Sequence, residues 1–293
     1  MHPEYPFKSH YIEIDGHRLH YIDEGQGSVV VAVHGNPTWS FYYRNVISSL
    51  RKSYRVIALD NIGCGFSDKP QDYIYDLNHH IENLSTLLSA LKIEKCSLMV
   101  HDWGGAIGMG YAVRNPHAIE KIIVLNTAAF RSRRIPFRIR VCRWPIIGDI
   151  LVRGLNGFAW PATFMAVTRK MDNTTKKYYL LPYDSWKNRI AVHRFVKDIP
   201  LNASHPSYQT LVEIEEGLAV LHRLNIPMLL LWGGQDFCFT QDFFQEWLQR
   251  FPSAEAHLFH EFGHYILEDG YSTLLPLMSN FLAPHADGRS ENR

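Results

Sequence analysis

The sequence predicts an α/β fold, in which a mostly parallel, doubly wound sheet is covered by helices on both faces. Five short runs of consecutive apolar residues indicate strands that are buried on both faces, as in a parallel sheet. Segments with helical apolar spacing lie between these runs, and this alternation is typical of doubly wound sheets. The strand-like runs are VVVAV (29–33), RVIAL (55–59), CSLMV (96–100), KIIVL (121–125) and PMLLLW (227–232), and the helical patterns cover 81–93, 106–115 and 241–251.

A hairpin precedes the first buried run. HYIEI (10–14) and RLHYIDE (18–24) alternate apolar and polar residues on either side of Asp15-Gly16, a dipeptide that tight hairpin turns favour.

The alternation of strand and helix stops after Phe130 and resumes near Leu211. The intervening segment contains helix-like pieces without a strand-like run, which favours a helical cap inserted between two strands over a separate second domain. We therefore expect a first core part at 1–130, a cap at 131–211 and a second core part at 212–284. The polar residues 285–293 are expected to be disordered.

Composition and charge exclude several classes of protein. The chain of 293 residues is 46% hydrophobic and 20% charged, which is typical of a globular protein. Its 30 Lys and Arg residues balance 29 Asp and Glu residues, so no overall field favours nucleic acid. No apolar run approaches the roughly 20 residues that span a bilayer, and we expect no secretory signal. Four cysteines without CxxC spacing indicate reduced thiols and a cytoplasmic protein: Cys64, Cys96, Cys142 and Cys238.

The segment after CSLMV has the layout of a nucleophile elbow. Reactive groups collect beyond the carboxyl ends of strands in open α/β sheets, and HDWGG (101–105) follows a strand and precedes a helix. The residue that such a turn lifts off the sheet is Asp102. A carboxylate is ionised at neutral pH, so it can attack a carbon with a good leaving group, or a strained ring, without a base. The alternative is a structural Asp that caps the helix.

Two later strand ends supply partners for this nucleophile. An elbow triad runs nucleophile, acid, histidine along the chain. Asp236 follows the strand at 227–232, and His264 follows the strand-like run AHLF (256–259). We expect His264 to be the base or proton shuttle and Asp236 to orient its imidazole.

Asn36 and Trp103 form a predicted anion-binding pair. Asn36 comes directly after His-Gly at the end of the first buried strand, and Trp103 comes directly after the nucleophile. Their N–H groups are expected to face the point where negative charge develops. A simple turn at Asn36-Pro37 is the alternative.

HEFGH (260–264) matches the HExxH string of zinc proteases. That chemistry needs both histidines on one face of a helix, whereas this string follows a strand-like run and contains Gly263. We therefore expect no metal and no cofactor.

The start of the cap is strongly basic. RSRRIPFRIRVCRW (131–144) interleaves six arginines with apolar residues and contains no acidic residue. A solvated helix face is the simplest explanation. The functional alternative is contact with an acidic protein surface or with anionic lipid head groups, a peripheral membrane contact. The arginines are Arg131, Arg133, Arg134, Arg138, Arg140 and Arg143.

Six segments, spread over nearly the whole chain, carry a family resemblance. They are HGNPTWSFYYRN (34–45), DNIGCGFSDKP (60–70), HDWGGAIGMGYAVRNP (101–116), VLNTAAF (124–130), PYDSWKNRIAVHRFVKDIP (182–200) and GHYILED (263–269). They resemble the haloalkane dehalogenase branch of the α/β-hydrolases and, within it, the β-lactone decarboxylases of bacterial long-chain olefin biosynthesis. Asn61 departs from the histidine expected in the decarboxylases.

The resemblance implies roles for individual residues. By motif, Asp102 is the nucleophile, His264 the catalytic histidine, Asp236 the acid, and Asn36 with Trp103 the anion-stabilising pair. Some dehalogenases place the acid as a Glu after the strand that corresponds to KIIVL. Here that region reads NTAA (126–129), which leaves Asp236 as the candidate acid.

The resemblance also implies the reaction. The substrate is a hydrophobic cis-β-lactone with two long alkyl chains, and the products are a cis-alkene and carbon dioxide. Attack by Asp102 at the ring's alkyl carbon gives an alkyl ester, whereas attack at the carbonyl gives an anhydride-like intermediate; the sequence leaves both open. An assembly with the lactone synthetase and reductase of the pathway is implied as well. Five aromatic residues of the cap would suit alkyl chains, with ordinary packing onto the main domain as the alternative: Phe137, Trp144, Phe158, Trp160 and Phe164.

Three alternatives remain at this stage. A haloalkane dehalogenase would use His264 to activate water against the Asp102 ester. An epoxide hydrolase would need cap tyrosines to protonate the epoxide oxygen, for which Tyr178, Tyr179 and Tyr183 are available. A non-catalytic receptor of the same fold is the third alternative, which the intact set of nucleophile, acid and histidine disfavours.

Overall fold

The computed structural model describes residues 3–284, whose strands form one eight-stranded sheet. The strands are β1 (Ser9–Ile14), β2 (His17–Glu24), β3 (Val29–Val33), β4 (Arg55–Leu59), β5 (Cys96–His101), β6 (Ile119–Leu125), β7 (Met228–Gly233) and β8 (Glu255–Phe259). Their order across the sheet is β1-β2-β4-β3-β5-β6-β7-β8. Strand β2 is antiparallel to β1 and to β4, and the other neighbouring pairs are parallel. The predicted fold class is confirmed.

Ten α-helices are assigned in the described part of the chain. They are α1 (Arg44–Leu50), α2 (Leu77–Ala90), α3 (Trp103–Arg114), α4 (Phe137–Val141), α5 (Ala159–Met165), α6 (Asn173–Leu180), α7 (Ile190–Lys197), α8 (Tyr208–Arg223), α9 (Gln241–Arg250) and α10 (Ile266–Leu282). Shorter helical turns lie at Ser40–Tyr43, Pro116–Ala118, Asp149–Gly154, Leu181–Tyr183 and Lys187–Arg189.

Helix α3 begins three residues before its sequence pattern predicted. Gly104 and Gly105 have low helix propensity, which hides the first turn. Both are buried, and a Cβ on Gly104 would overlap the backbone carbonyl oxygen of Val33. The first turn therefore packs directly against the end of β3.

Helices cover both faces of the sheet, which explains the continuous apolar runs of the central strands. Val31 of β3 packs in one core with α2, α3, α8 and α9, whereas Val30 packs in a second core with α1 and α10. Strands β5 and β7 are buried along their whole length. The carboxyl ends of these rigid strands carry the candidate site.

Helices α4 to α8 lie between β6 and β7, and no strand is assigned among these described residues. The divisions at 130/131 and 211/212 stay predictions of domain organisation; α8 spans the second of them. The predicted disordered tail at 285–293 lies outside the described residues. Within 3–284, no helix is both long and apolar enough to cross a membrane. The cytoplasmic location stays a prediction.

Candidate active site

Asp102 lies at a strained turn between β5 and α3. Its backbone has φ 52° and ψ −129°, a conformation that costs about 1–3 kcal/mol for a residue with a side chain. The Thr127 hydroxyl donates to the Asp102 carbonyl oxygen, and the Gly105 N–H donates to the same oxygen at 2.9 Å. The Asp102 N–H donates to the Asn126 carbonyl oxygen at 3.3 Å. These contacts hold the turn that lifts the carboxylate off the sheet.

The two oxygens of the Asp102 carboxylate have different surroundings. The backbone N–H of Asn36 donates to Oδ1 at 2.6 Å, while Oδ2 lies 3.5 Å from Nε2 of His264. Burial by itself raises the pKa of Asp102, but the hydrogen bond and charge of His264, with the Asn36 N–H, lower it below its ordinary value. The carboxylate is therefore ionised at neutral pH, with Oδ2 as the oxygen that faces the imidazole.

His264 lies between two carboxylates. Its Nδ1 donates to Oδ2 of Asp236 at 2.7 Å, and its Nε2 faces Asp102. Burial by itself lowers the pKa of His264, but the charge of Asp236 and the hydrogen bonds to both carboxylates raise it to about 10. The resting site therefore holds an imidazolium cation at neutral pH.

Asp236 is held rigidly by four donors. Its Oδ1 accepts from the N–H of Cys238 at 2.7 Å and of Phe239 at 3.0 Å. Its Oδ2 accepts from Nδ2 of Asn126 at 2.9 Å, as well as from His264. Sequence reasoning treated Asn126 only as the position that lacks an acid. Its place at the carboxyl end of β6 was the signal that could have assigned it to the site.

His101 is a second residue that sequence reasoning missed. Burial lowers its pKa to about 3, so the ring is neutral, and its Nε2 donates to the His264 carbonyl oxygen at 2.9 Å. Its ring stacks on Tyr42 at 4.4 Å and lies 4.5 Å from the ring of His264. It therefore fixes the backbone position of His264. Its place directly before Asp102 was the available signal.

Asn36 and Trp103 both line the cavity above Asp102, but one of their predicted donors is already used. The Asn36 backbone N–H binds Asp102 itself rather than facing open space, because Gly35 has no side chain to keep the loop away from that carboxylate. One amide hydrogen of Asn36 binds the Val192 carbonyl oxygen at 3.0 Å. The Trp103 indole N–H has no hydrogen-bond partner among residues 3–284, so it and the second Asn36 amide hydrogen remain for an anion.

A mainly apolar cavity of about 490 Å³ lies above these groups. Asp102 and His264 are among its lining residues, with side chains from the core and from the segment between β6 and β7. Of the five cap aromatics predicted to contact the substrate, Phe137 and Phe158 line the cavity. The prediction was wrong for Trp144, Trp160 and Phe164, which are exposed and do not line the cavity. Helix α5 turns Pro161, Ala162 and Met165 towards the cavity, so its helical period turns Trp160 and Phe164 away.

The three cap tyrosines considered for epoxide chemistry do not line the cavity. The Tyr179 hydroxyl donates to Glu268, and the Tyr183 hydroxyl donates to the Thr38 carbonyl oxygen. Tyr178 stacks on Phe41. The HEFGH string (260–264) lies in the loop between β8 and α10 rather than on a helix.

Comparisons with known proteins agree with this architecture. The sequence profile described as the alpha/beta hydrolase fold matches residues 28–271. A protein of Shewanella oneidensis named cis-3-alkyl-4-alkyloxetan-2-one decarboxylase is 44% identical, over 94% of this chain and 89% of its own length. A protein of the same name from Xanthomonas campestris pv. campestris is 35% identical, over 96% of this chain and 97% of its own.

A solved structure of the haloalkane dehalogenase DatA from Agrobacterium tumefaciens superposes with a TM-score of 0.86 at 23% identity, covering 96% of this chain and 98% of that one. At this identity the likeness shows the fold. The resemblance inferred from the sequence motifs is confirmed. The chain belongs to the α/β-hydrolase family, where proteins named cis-3-alkyl-4-alkyloxetan-2-one decarboxylase are among its relatives.

Proposed function

We propose that this protein is a cis-3-alkyl-4-alkyloxetan-2-one decarboxylase that converts a dialkyl β-lactone to a cis-alkene and carbon dioxide. The observation that carries the proposal is the ion pair of Asp102 and His264 at an apolar cavity. The names of the two relatives with 44% and 35% identity support it. The same pair supplies a nucleophile that is ionised at neutral pH and a cation that stabilises it.

In the first step Asp102 attacks the ring carbon C4, which bears the ring oxygen. The Oδ2–C4 bond forms as the C4–O ring bond breaks, and the ring opens to an alkyl ester with a free substrate carboxylate. Relief of ring strain drives this step. The carboxylate takes the place that a leaving halide would take, where the Trp103 indole N–H and the Asn36 amide can donate to it. Asn36 also holds Oδ1 through its backbone N–H.

In the second step the ester eliminates. The electrons of the C3–carboxylate bond form the alkene, carbon dioxide leaves, and the C4–Oδ2 bond breaks to restore the Asp102 carboxylate beside His264. Attack from the side opposite the ring oxygen places the new ester bond anti to the carboxylate. Anti elimination from that arrangement preserves the cis relation of the two alkyl chains. The cycle consumes no water and moves no proton.

This proton balance favours the alkyl-ester route and decarboxylation over the alternatives. Attack at the carbonyl would instead release an alkoxide at C4, which must be protonated to a hydroxyl group. The elimination would then have to expel hydroxide, which is a poor leaving group. In the resting site Asp236 and Asp102 raise the pKa of His264 to about 10, and hydrolytic dehalogenation needs the imidazole to lose this proton before water attacks the ester. Epoxide hydrolysis is disfavoured because the three cap tyrosines considered as its acid, Tyr178, Tyr179 and Tyr183, do not line the cavity.

The test is turnover of a synthetic cis-dialkyl β-lactone, with alkene measured by gas chromatography and water labelled with heavy oxygen as solvent. We expect cis-alkene and an unlabelled Asp102 peptide after many turnovers, because no water attacks the ester. The matched variant Asp102→Asn keeps the size of the side chain and should form no alkene. Hydroxy acid as the product, with heavy oxygen in the Asp102 peptide, would instead establish hydrolysis.

The proposed substrate is hydrophobic, in keeping with the apolar cavity. A role in olefin biosynthesis and a complex with a lactone synthetase and reductase belong to this proposal. Co-elution of the three purified proteins in size-exclusion chromatography would test the complex.

A further inference from the structure

An unusually apolar surface covers the part of the chain between the two halves of the core. Eight of the fourteen large apolar side chains that are exposed among the described residues belong to residues 137–164. Phe137, Ile146 and Leu155 are 71%, 73% and 69% exposed, and Ile150, Trp160 and Phe164 belong to the same group. The rings of Trp160 and Phe164 pack against each other at 5.0 Å. A concentration of this kind marks an interaction surface.

The same segment carries an excess of positive charge. Residues 131–164, here called the 131–164 surface, contain seven arginines and one acidic residue, Asp149, in a chain whose net charge is only +1. Some of these arginines are neutralised within the protein: Arg131 binds Glu215 and Arg134 pairs with Asp242.

Three arginines keep their charge available. Arg133, Arg138 and Arg140 are exposed and have no carboxylate partner within residues 3–284. Within residues 3–284, the one hydrogen bond of the Arg138 side chain is to the Met165 sulfur, at 3.7 Å. Exposed arginines in the same segment as exposed aromatic and aliphatic side chains are complementary to an anionic lipid surface, where the apolar groups enter the interface and the cations meet head groups.

The mouth of the cavity opens through this surface. Arg134, Phe137, Arg138 and Gly157 line the cavity and are also exposed to solvent, and so is Phe237 from outside this surface. An acidic protein bound here would cover the opening. A lipid surface would instead lie against the opening of the cavity, and a dialkyl compound dissolves in that lipid.

We propose that the 131–164 surface binds anionic membrane lipid and presents the cavity mouth to it, so that a dialkyl substrate enters from the lipid phase. The lipid contact itself is independent of the reaction. The route of substrate entry rests on the proposed decarboxylase function.

Ile146 gives the proposal a sharp test. It is exposed, and its φ of 62° lies in the left-handed region that a β-branched residue rarely adopts. Isoleucine at this position gains little from the folded protein alone, whereas at a lipid interface its side chain would be buried. Asparagine tolerates this conformation. Ile146→Asn should therefore weaken lipid binding while raising the melting temperature by a few degrees. If Ile146 had a purely structural role, its replacement would not raise the melting temperature and weaken lipid binding together.

The experiment is co-sedimentation of the full chain, without substrate, with vesicles of equal parts phosphatidylcholine and phosphatidylglycerol, and with phosphatidylcholine vesicles. We expect binding to the anionic vesicles that falls with added salt. Removing two charges by Arg133→Gln with Arg140→Gln should lower the partition coefficient about 30-fold, because each basic residue near the surface contributes about fivefold. The control Lys52→Gln with Arg223→Gln removes the same charge from exposed positions outside this surface and should have little effect.

Apolar contact is tested by Trp160→Ser against Leu224→Ser, another exposed apolar residue. Only the first should weaken vesicle binding. If the protein stays in the supernatant with anionic vesicles, or if the Arg133 and Arg140 variant binds as tightly as its control, the proposal is overturned. An acidic protein surface would then remain as the partner of these arginines. Because no lactone is present, a failure here is distinct from a failure to form alkene from a short, soluble lactone.

Discussion

Replacing Asp236 by asparagine tests whether the charge on His264 governs the reaction. Nδ1 of His264 lies 2.7 Å from Oδ2 of Asp236. With the two charge centres about 4 Å apart and an effective dielectric constant of about 20, their attraction is about 4 kcal/mol. At 1.36 kcal/mol for each pKa unit, its loss corresponds to about 3 units. We therefore expect Asp236→Asn to lower the pKa of His264 from about 10 to about 7.

Asp236→Asn should also change the tautomer of His264, because of the hydrogen bonds around residue 236. Four donors point at the carboxylate: the N–H groups of Cys238 and Phe239, the Asn126 amide and the imidazole. An asparagine amide can accept from the two backbone groups with its oxygen, but its NH₂ then faces the imidazole. Neutral His264 with its hydrogen on Nε2 relieves this conflict, because Nδ1 becomes an acceptor. The cation that faces Asp102 is then lost.

Two measurements check this prediction. The charge and tautomer of His264 are followed by NMR of isotopically labelled histidine, assigned with a His264→Gln variant, and kcat/KM for alkene formation is measured against pH. In the unmodified protein we expect a plateau that declines with an apparent pKa near 10, because the imidazolium stabilises the nucleophile and the departing ester oxygen. In Asp236→Asn the decline should begin near pH 7. A decline that stays near 10 in the variant, or activity that rises as His264 loses its proton, would refute the electrostatic argument.

Three further predictions concern other parts of the structure. Burial raises the pKa of Asp198 to about 7, above its unfolded value, so stability is lost as the pH rises through about 7. In denaturant titrations, Asp198→Asn should therefore raise the free energy of unfolding by about 2–4 kcal/mol at about pH 8, and by less as the pH falls towards about 4. Gly104→Ala should lower the free energy of unfolding by about 1–3 kcal/mol or more in the same assay, because its Cβ meets the Val33 carbonyl oxygen. A 1-bromoalkane should release one bromide per Asp102 in a burst, followed by slow turnover that increases with pH; fast release without a burst would contradict the protonated state of His264.

The sheet and the three central residues of the site could be predicted from the sequence because the end of a buried strand marks both the strand itself and the position of polar side chains. A strand buried on both faces is a run of apolar residues, and in this topology the polar residues that interrupt such runs lie at one edge of the sheet. Asp102, Asp236 and His264 each follow such a run, in the chain order of an elbow triad. The structure places Asp236 and Asp102 on opposite nitrogens of the imidazole.

Neutral and backbone groups were harder to predict. Asn126 and His101 also follow or end buried strands, but an amide or a neutral imidazole at such a position has many structural uses, so the residue type does not identify its partner. The Asn36 N–H was assigned to a substrate anion because sequence does not show that Gly35 brings the loop against Asp102.

The orientation of the cap aromatics was not predictable for a different reason. Helix α5 has one face on the cavity and one in solvent, and its composition is apolar on both. Periodicity of hydrophobicity cannot determine which face is buried when both faces are apolar. Contacts between the other face of helix α5 and the cavity determine the rotation of the helix that exposes Trp160 and Phe164.

The fate of an ester on Asp102 depends on what its alkyl group carries. An ester made from a haloalkane holds no further leaving group, so only water can release it, and water needs a base. Esterification neutralises Asp102, one of the two carboxylates that hold the proton on His264, while Oδ2 of Asp236 stays 2.7 Å from Nδ1. His264 must lose that proton before it can activate water. An ester made from a β-lactone carries its own carboxylate on the neighbouring carbon, and loss of carbon dioxide releases the enzyme without water. The imidazolium of His264 stabilises the Asp102 oxygen that leaves in the elimination, and the two residues then form the resting ion pair again. In the proposed mechanism decarboxylation and hydrolysis thus share one nucleophile and differ in the protonation state of His264 that each requires.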